Sequence, residues 1–129
     1  MDNILPYILI GCILILIFIG VTEQNYIEAL TGRILSEVEE AEKLYAGEKI
    51  EDCNYIMENV ISMWKDNEKK LCMLLNHDNV HKISEVLIET NSLLKKKLIG
   101  HDVSANFALL RMYIINMKEE NEFSLSNVL

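Results

Sequence analysis

Hydrophobic and polar positions divide this chain into two regimes. From Ile4 to Val21, eighteen consecutive residues carry no charge, and most are Ile or Leu. After Thr22, apolar residues recur at three- and four-residue steps among charges. At about 1.5 Å per residue the first run spans roughly 27 Å as a helix, close to the ~30 Å hydrocarbon core of a bilayer. A helix satisfies its own backbone in lipid, which a loop cannot do. Pro6 falls in the first turn, where a missing N–H costs nothing, and Tyr7 suits an interface. The residues predict a membrane anchor over residues 1–21, running from Ile4 to Val21.

Two other readings of the run fit less well. A cleaved signal peptide needs a basic residue ahead of the run and a small-x-small site after it, and this chain has neither. Leu9-Ile10-Gly11-Cys12 resembles a lipobox, but nine more uncharged residues follow Cys12 and would bury a modified cysteine.

The second regime predicts four amphipathic helices. The first, about 22–46, carries the stripe Ile27, Leu30, Ile34, Val38, Ala41 and Tyr45, and Gly47 ends it in a left-handed turn. The second, about 48–76, keeps a heptad seam through Ile50, Cys53, Met57, Val60, Trp64, Leu71 and Leu74, interrupted by Asn67. Asp78 caps a third, about 79–98, with Val80, Ile83, Leu87, Thr90 and Leu94 on one side. Gly100 closes that helix. Asp102 caps a fourth, about 103–118, striped by Val103, Phe107, Leu110, Ile114 and Met117.

Such stripes, joined by short turns, bury best against one another. The fold class is therefore all-α: a single N-terminal transmembrane helix, then an up-down antiparallel four-helix bundle over 22–119. A non-helical tail follows over 120–129. In that topology the turn at His77 and the tail return to the anchor's side. Phe123, Leu125, Val128 and Leu129 are then expected to cover the near end of the bundle rather than touch headgroups.

Composition narrows the partners. All 12 Lys and Arg lie beyond the apolar run, together with 19 of the 20 acidic residues. That negative balance disfavours nucleic acid and anionic lipid surfaces. Cys53 and Cys72 share one predicted helix, roughly 28 Å apart, and cannot pair within the chain. They read as small core or boundary residues, with no disulfide framework. The charge rule for orientation has little to act on, since Arg33 is the one basic residue within twenty residues of the anchor. The short Met1-Asp2-Asn3 lead and the acidic flank of Glu23, Glu28, Glu37, Glu39 and Glu40 favour a body outside the cytoplasm. The expected location is the cell membrane, in a single pass.

The sharpest chemical constellation is His77-Asp78-Asn79-Val80-His81. Histidines four apart on a helix can chelate a metal, and the acid after the first resembles HExxH. Three objections outweigh that reading. Aspartate replaces the longer glutamate, Asp78 is occupied as a cap, and His77 stands before the helix. His101, the one other histidine, lies in the opposite turn, and a metal needs further ligands. His77 and His81 thus remain bare candidates, and no metal or cofactor is expected. Trp64 reads as a core residue, Asn67 as a register-setting polar residue in the seam, and Lys95, Lys96 and Lys97 as ordinary last-turn cations. No phosphate loop, nucleophile elbow or Cys-x-x-Cys is present, so the chain is not expected to be an enzyme.

The short anchor, the mid-helix Trp64, Leu74-Leu75-Asn76-His77 followed by Val80 and Ile83, and the ending Phe123-Ser124-Leu125-Ser126-Asn127-Val128-Leu129 form a recognisable set. Together they resemble the bacterial family of the domain of unknown function numbered four-three-six-three. The resemblance implies the same anchored architecture, a body outside the cytoplasmic membrane, and a Gram-positive, spore-forming host. It implies no activity, substrate or partner. That family usually places aspartate before the histidine, where this chain has Asn76.

Two function classes follow from the residues. One is a non-enzymatic, single-pass anchored module that binds an envelope or membrane protein, or a second copy of itself. Trp64, His77, Phe123 and Leu125 are its candidate partner or core residues. The alternative is a small metal- or ligand-binding sensor using the His77/His81 turn.

Overall fold

The computed structural model describes residues 3–96 and 101–128, and within the last stretch the side chains of 103–122. All regular structure among these residues is helical. Four helices follow in order: α1 (Ile4–Ala46), α2 (Ile50–Leu74), α3 (His77–Lys95) and α4 (His101–Val128). Each packs on its two neighbours around a closed ring, α1 on α2, α2 on α3, α3 on α4 and α4 on α1, and among the described residues the backbones of diagonal helices stay farther apart. This is the up-down antiparallel bundle that four stripes and short turns dictate.

The stripes become the core. Ile27, Ile34, Val38 and Ala41 of α1 are buried, as are Cys53, Met57, Val60, Trp64 and Leu71 of α2. Val80, Ile83, Leu87 and Leu94 of α3 join Val103, Phe107, Leu110, Ile114 and Met117 of α4. Leu30, Tyr45 and Leu74 flank this cluster half-buried. Two threonines sit in the core without penalty, because each hydroxyl donates to its own helix. Thr31 reaches the Ile27 carbonyl and Thr90 the Val86 carbonyl, both at 2.7 Å.

α1 is one unbroken helix, and its first eighteen residues leave the bundle as a bare rod. Leu16 and Phe18 are 68 % and 72 % exposed, and none of the apolar window is covered by the rest of the chain. It is long and apolar enough to cross a membrane.

The structure corrects four expectations about helix ends. α4 continues to Val128, so the stretch expected as a non-helical tail is helical. α4 also starts at His101, which puts Asp102 inside the helix rather than at its cap. The cap of α3 is Asn76, whose side-chain oxygen accepts from the Asp78 N–H at 2.9 Å. His77 is therefore the first residue of α3, and Asp78 lies within its first turn.

The end of α1 carries the fourth correction. Gly47 is not left-handed: its φ is −84°, and Glu48 takes the left-handed position with φ 63°. The Glu48 N–H donates to the Tyr45 carbonyl at 3.1 Å and the Lys49 N–H to the Leu44 carbonyl at 2.9 Å. That pair of bonds is a Schellman turn with Glu48 at the position glycine usually fills. Gly100 and Lys97, read as the closing residue and last cation of the third helix, lie outside the described residues.

Candidate functional site at the rod end of the bundle

Among the described residues, polar contacts cross every helix–helix interface in the half of the bundle next to the rod. On the α1–α2 face the Tyr26 hydroxyl donates to Asn67 Oδ1, and Asn67 Nδ2 donates to the Met63 carbonyl at 2.7 Å. Lys70 Nζ lies 4.1 Å from the centre of the Tyr26 ring, within cation–π range. Burial pushes the Tyr26 phenol above its ordinary pKa, which keeps it a donor.

On the α2–α3 face, Trp64 Nε1 donates to Ser84 Oγ at 2.7 Å. The Ser84 hydroxyl then has two acceptors within reach, Glu68 Oε1 at 2.9 Å and the Val80 carbonyl at 3.1 Å. Asn79 Nδ2 donates across the α3–α4 face to Glu120 Oε2 at 2.8 Å. Asn121 Nδ2 completes the circuit from α4 to the Gln24 carbonyl of α1 at 3.4 Å. All four interfaces thus carry a hydrogen bond within a few turns of the rod. Farther from the rod, among the described residues, the Tyr45 and Phe107 rings stand 5.9 Å apart and Arg111 pairs with Glu42 at 3.1 Å.

These contacts fix heights along the rod. Leu74 ends α2 seven residues past Asn67, about 10 Å nearer the rod's tip than Tyr26. The backbone of α4 runs a similar distance past Asn121. The near end of the bundle therefore stands beside the last turn or so of the apolar run. Met73, 79 % exposed, and the His77 turn sit at that level.

His77 and His81 are brought together here. Both side chains are exposed, their rings meet edge to face with centroids 4.2 Å apart, and the two Nε2 atoms are 2.7 Å apart. Two objections to a chelating pair disappear: His77 is within the helix, and Asn76 relieves Asp78 of capping. The Asn76 position also acquires a plain structural role, since aspartate and asparagine cap equally well. Among the described residues, no group of three or more His, Cys, Asp or Glu converges on one point.

Other predicted residues are placed as follows. Trp64 is buried at 2 % exposure, a core residue whose indole N–H is satisfied. Asn67 is half-buried in the α1–α2 seam. The side chains of Phe123, Leu125, Val128 and Leu129 lie outside the described residues. Cys53 is buried and its thiol is pushed up to about 11 by desolvation. Cys72 is half-buried and shifted in the same direction, by burial first and then by the Glu68 carboxylate. Neither thiol is poised as a nucleophile. Between α1 and α2 an open cleft of about 330 Å³ carries Arg33, Glu37, Asp66 and Asn67 in its lining.

The hydrophobic pattern assigns no interhelical role to Tyr26, Glu68, Asn79, Ser84, Glu120 or Asn121. Asn121 alone left a signal there, because it extends the α4 stripe by one more four-residue step after Met117.

An apolar rod continuous with the first helix of a closed four-helix bundle defines the class of protein: an all-α bundle carried on an N-terminal apolar helix. Residues 21–128 match the family described as Domain of unknown function (DUF4363), and the chain belongs to that family. The matched stretch starts at the last residue of the rod and covers the whole bundle. No curated protein and no solved structure matches the chain.

Proposed function

We propose that the chain is a non-enzymatic helical module, held on a bilayer by the rod and presenting its bundle outside the cytoplasm to an envelope or membrane protein. The carrying observation is the rod itself: eighteen residues from Ile4 to Val21 without a charge, left uncovered by the rest of the chain. Burying that much apolar surface in lipid is worth tens of kcal/mol at about 25 cal/mol per Å², so water is not a tenable surrounding. The acidic flank of Glu23, Glu28, Glu37, Glu39 and Glu40 is the feature that favours the outward orientation.

Partner binding is the reading left for the body. Among the described residues its His, Cys, Asp and Glu form no group of three or more that could hold a metal ion, and burial favours the protonated form of Cys53 and Cys72. Ile88, Met112 and Ile115 stand 58 %, 47 % and 39 % exposed on the outer faces of α3 and α4, where a protein surface or a second copy would cover them.

The test is made in membranes. The full chain resists extraction by alkaline carbonate, a C-terminal reporter enzyme active on one side reports outside, and crosslinking captures a defined second protein. Release by carbonate, or crosslinking that returns the single chain alone, would sink the proposal.

A further inference from the structure

The His77/His81 pair has a geometry that the rest of the bundle does not use. Neither ring packs in the core or belongs to the circuit of interhelical hydrogen bonds. Both belong to the first turns of α3, four residues apart, so the helix itself holds their Cβ atoms on one face. Their Nε2 atoms converge to 2.7 Å while the rings stand at 88°. The two nitrogens therefore share one small volume in front of the helix.

We propose that His77 and His81 form an open, two-nitrogen site for a borderline divalent transition metal, of which Zn2+ is the representative. Zinc–nitrogen bonds of about 2.0–2.1 Å place two ligating nitrogens about 2.9 Å apart at a right angle and about 3.3 Å apart at the tetrahedral angle. Without metal the two rings share a hydrogen bond at 2.7 Å, and a metal would replace its proton after an opening of about 0.2 Å for the right angle or about 0.6 Å for the tetrahedral one, which side-chain rotations supply. Imidazole selects Zn2+, Ni2+ and Cu2+ over the hard cations Mg2+ and Ca2+. The positive end of the α3 dipole opposes a cation here, and Asp78, in the same first turn, offsets it.

No third protein ligand stands in reach among the described residues, so the remaining coordination positions fall to water or to a group from a bound partner. The site is therefore an exchangeable one, unlike a closed structural centre. It stands whether or not the rod lies in a bilayer.

Isothermal titration of Zn2+ into the full chain in detergent micelles tests the proposal. One Zn2+ per chain is expected, with affinity falling at least tenfold in both His77→Ala and His81→Gln. Mg2+ gives no heat. Both side chains are exposed, so circular dichroism of the variants stays that of the parent. Absence of saturable Zn2+ binding to the parent chain overturns the proposal, and so does binding of undiminished affinity in the two variants.

Discussion

The Tyr26 hydroxyl donates to Asn67 Oδ1 across the α1–α2 interface, joining residues 41 positions apart in the chain. Asn67 is the polar interruption of an otherwise apolar seam, and its own amide is tied to the Met63 carbonyl. A polar residue at such a place allows one register and penalises the others, because any slip leaves it unpaired in the interface.

Removing the phenol oxygen therefore has a defined cost. Tyr26→Phe should lower the unfolding free energy by about 1 kcal/mol, and Asn67→Ala by somewhat more, since it also abandons Met63. Because the two share one bond, the double variant should lose less than the two single losses together. Denaturant unfolding of the four proteins, followed by circular dichroism, measures this; strict additivity would show that the bond contributes nothing.

At the far end of α1 the expected effect is stabilising. Glu48 holds a left-handed φ of 63°, where any side chain with a Cβ is strained. Glu48→Gly should raise the thermal midpoint, corresponding to about 1 kcal/mol. Gly47 has an ordinary right-handed φ, and a Cβ there would meet only the Lys43 and Leu44 carbonyls at 3.5 and 3.7 Å. Gly47→Ala should therefore be tolerated, which an assignment of the turn to Gly47 would not allow.

Trp64 reports on the core. As the one tryptophan, buried and hydrogen-bonded to Ser84, it should emit at short wavelength in the folded chain and shift to the red on unfolding. Ser84→Ala strands the indole N–H and should cost about 1–3 kcal/mol. Trp64→Ala, which adds a large cavity, should cost about 3–5 kcal/mol. A Ser84→Ala variant with unchanged stability would mean that water replaces the serine.

The cysteines give a pH signature. Burial pushes the folded Cys53 thiol up from 9.0 to about 11, so folding favours the protonated form. The associated stability is full below pH 9 and is lost as pH climbs from 9 toward 11. Cys53→Ala should flatten that decline, whatever it costs at neutral pH. In the native chain at pH 8, maleimide should modify half-buried Cys72 before Cys53, and Cys53 only on unfolding; equal rates would contradict its burial.

What the sequence made legible was whatever depends on period. Ile27 through Ala41, Val80 through Leu94 and Val103 through Met117 are buried because a 3.6-residue repeat puts them on one side of a cylinder, and that repeat survives without knowledge of the neighbours. The caps were not legible to one residue. Asn76 and Asp78 are equally good caps two positions apart, and Gly47 and Glu48 differ by which peptide turns. The helical continuation of α4 beyond 118 was not legible because its apolar stripe ends at Met117 and the next step along it is the polar Asn121. The circuit of polar contacts was hidden for another reason. Tyr26, Asn79 and Asn121 each find partners on a different helix, and single-chain periodicity carries no information about which helix lies opposite.

α1 passes from rod to bundle with no glycine-proline joint and no break in its backbone ladder. A lever without an elbow conveys torque as well as position. Each residue inserted between Val21 and Gln24 would swing the bundle about 100° around the rod's axis, with no change in either part. Anything that grips the rod from the side and the bundle from above must therefore meet both in the same angular phase.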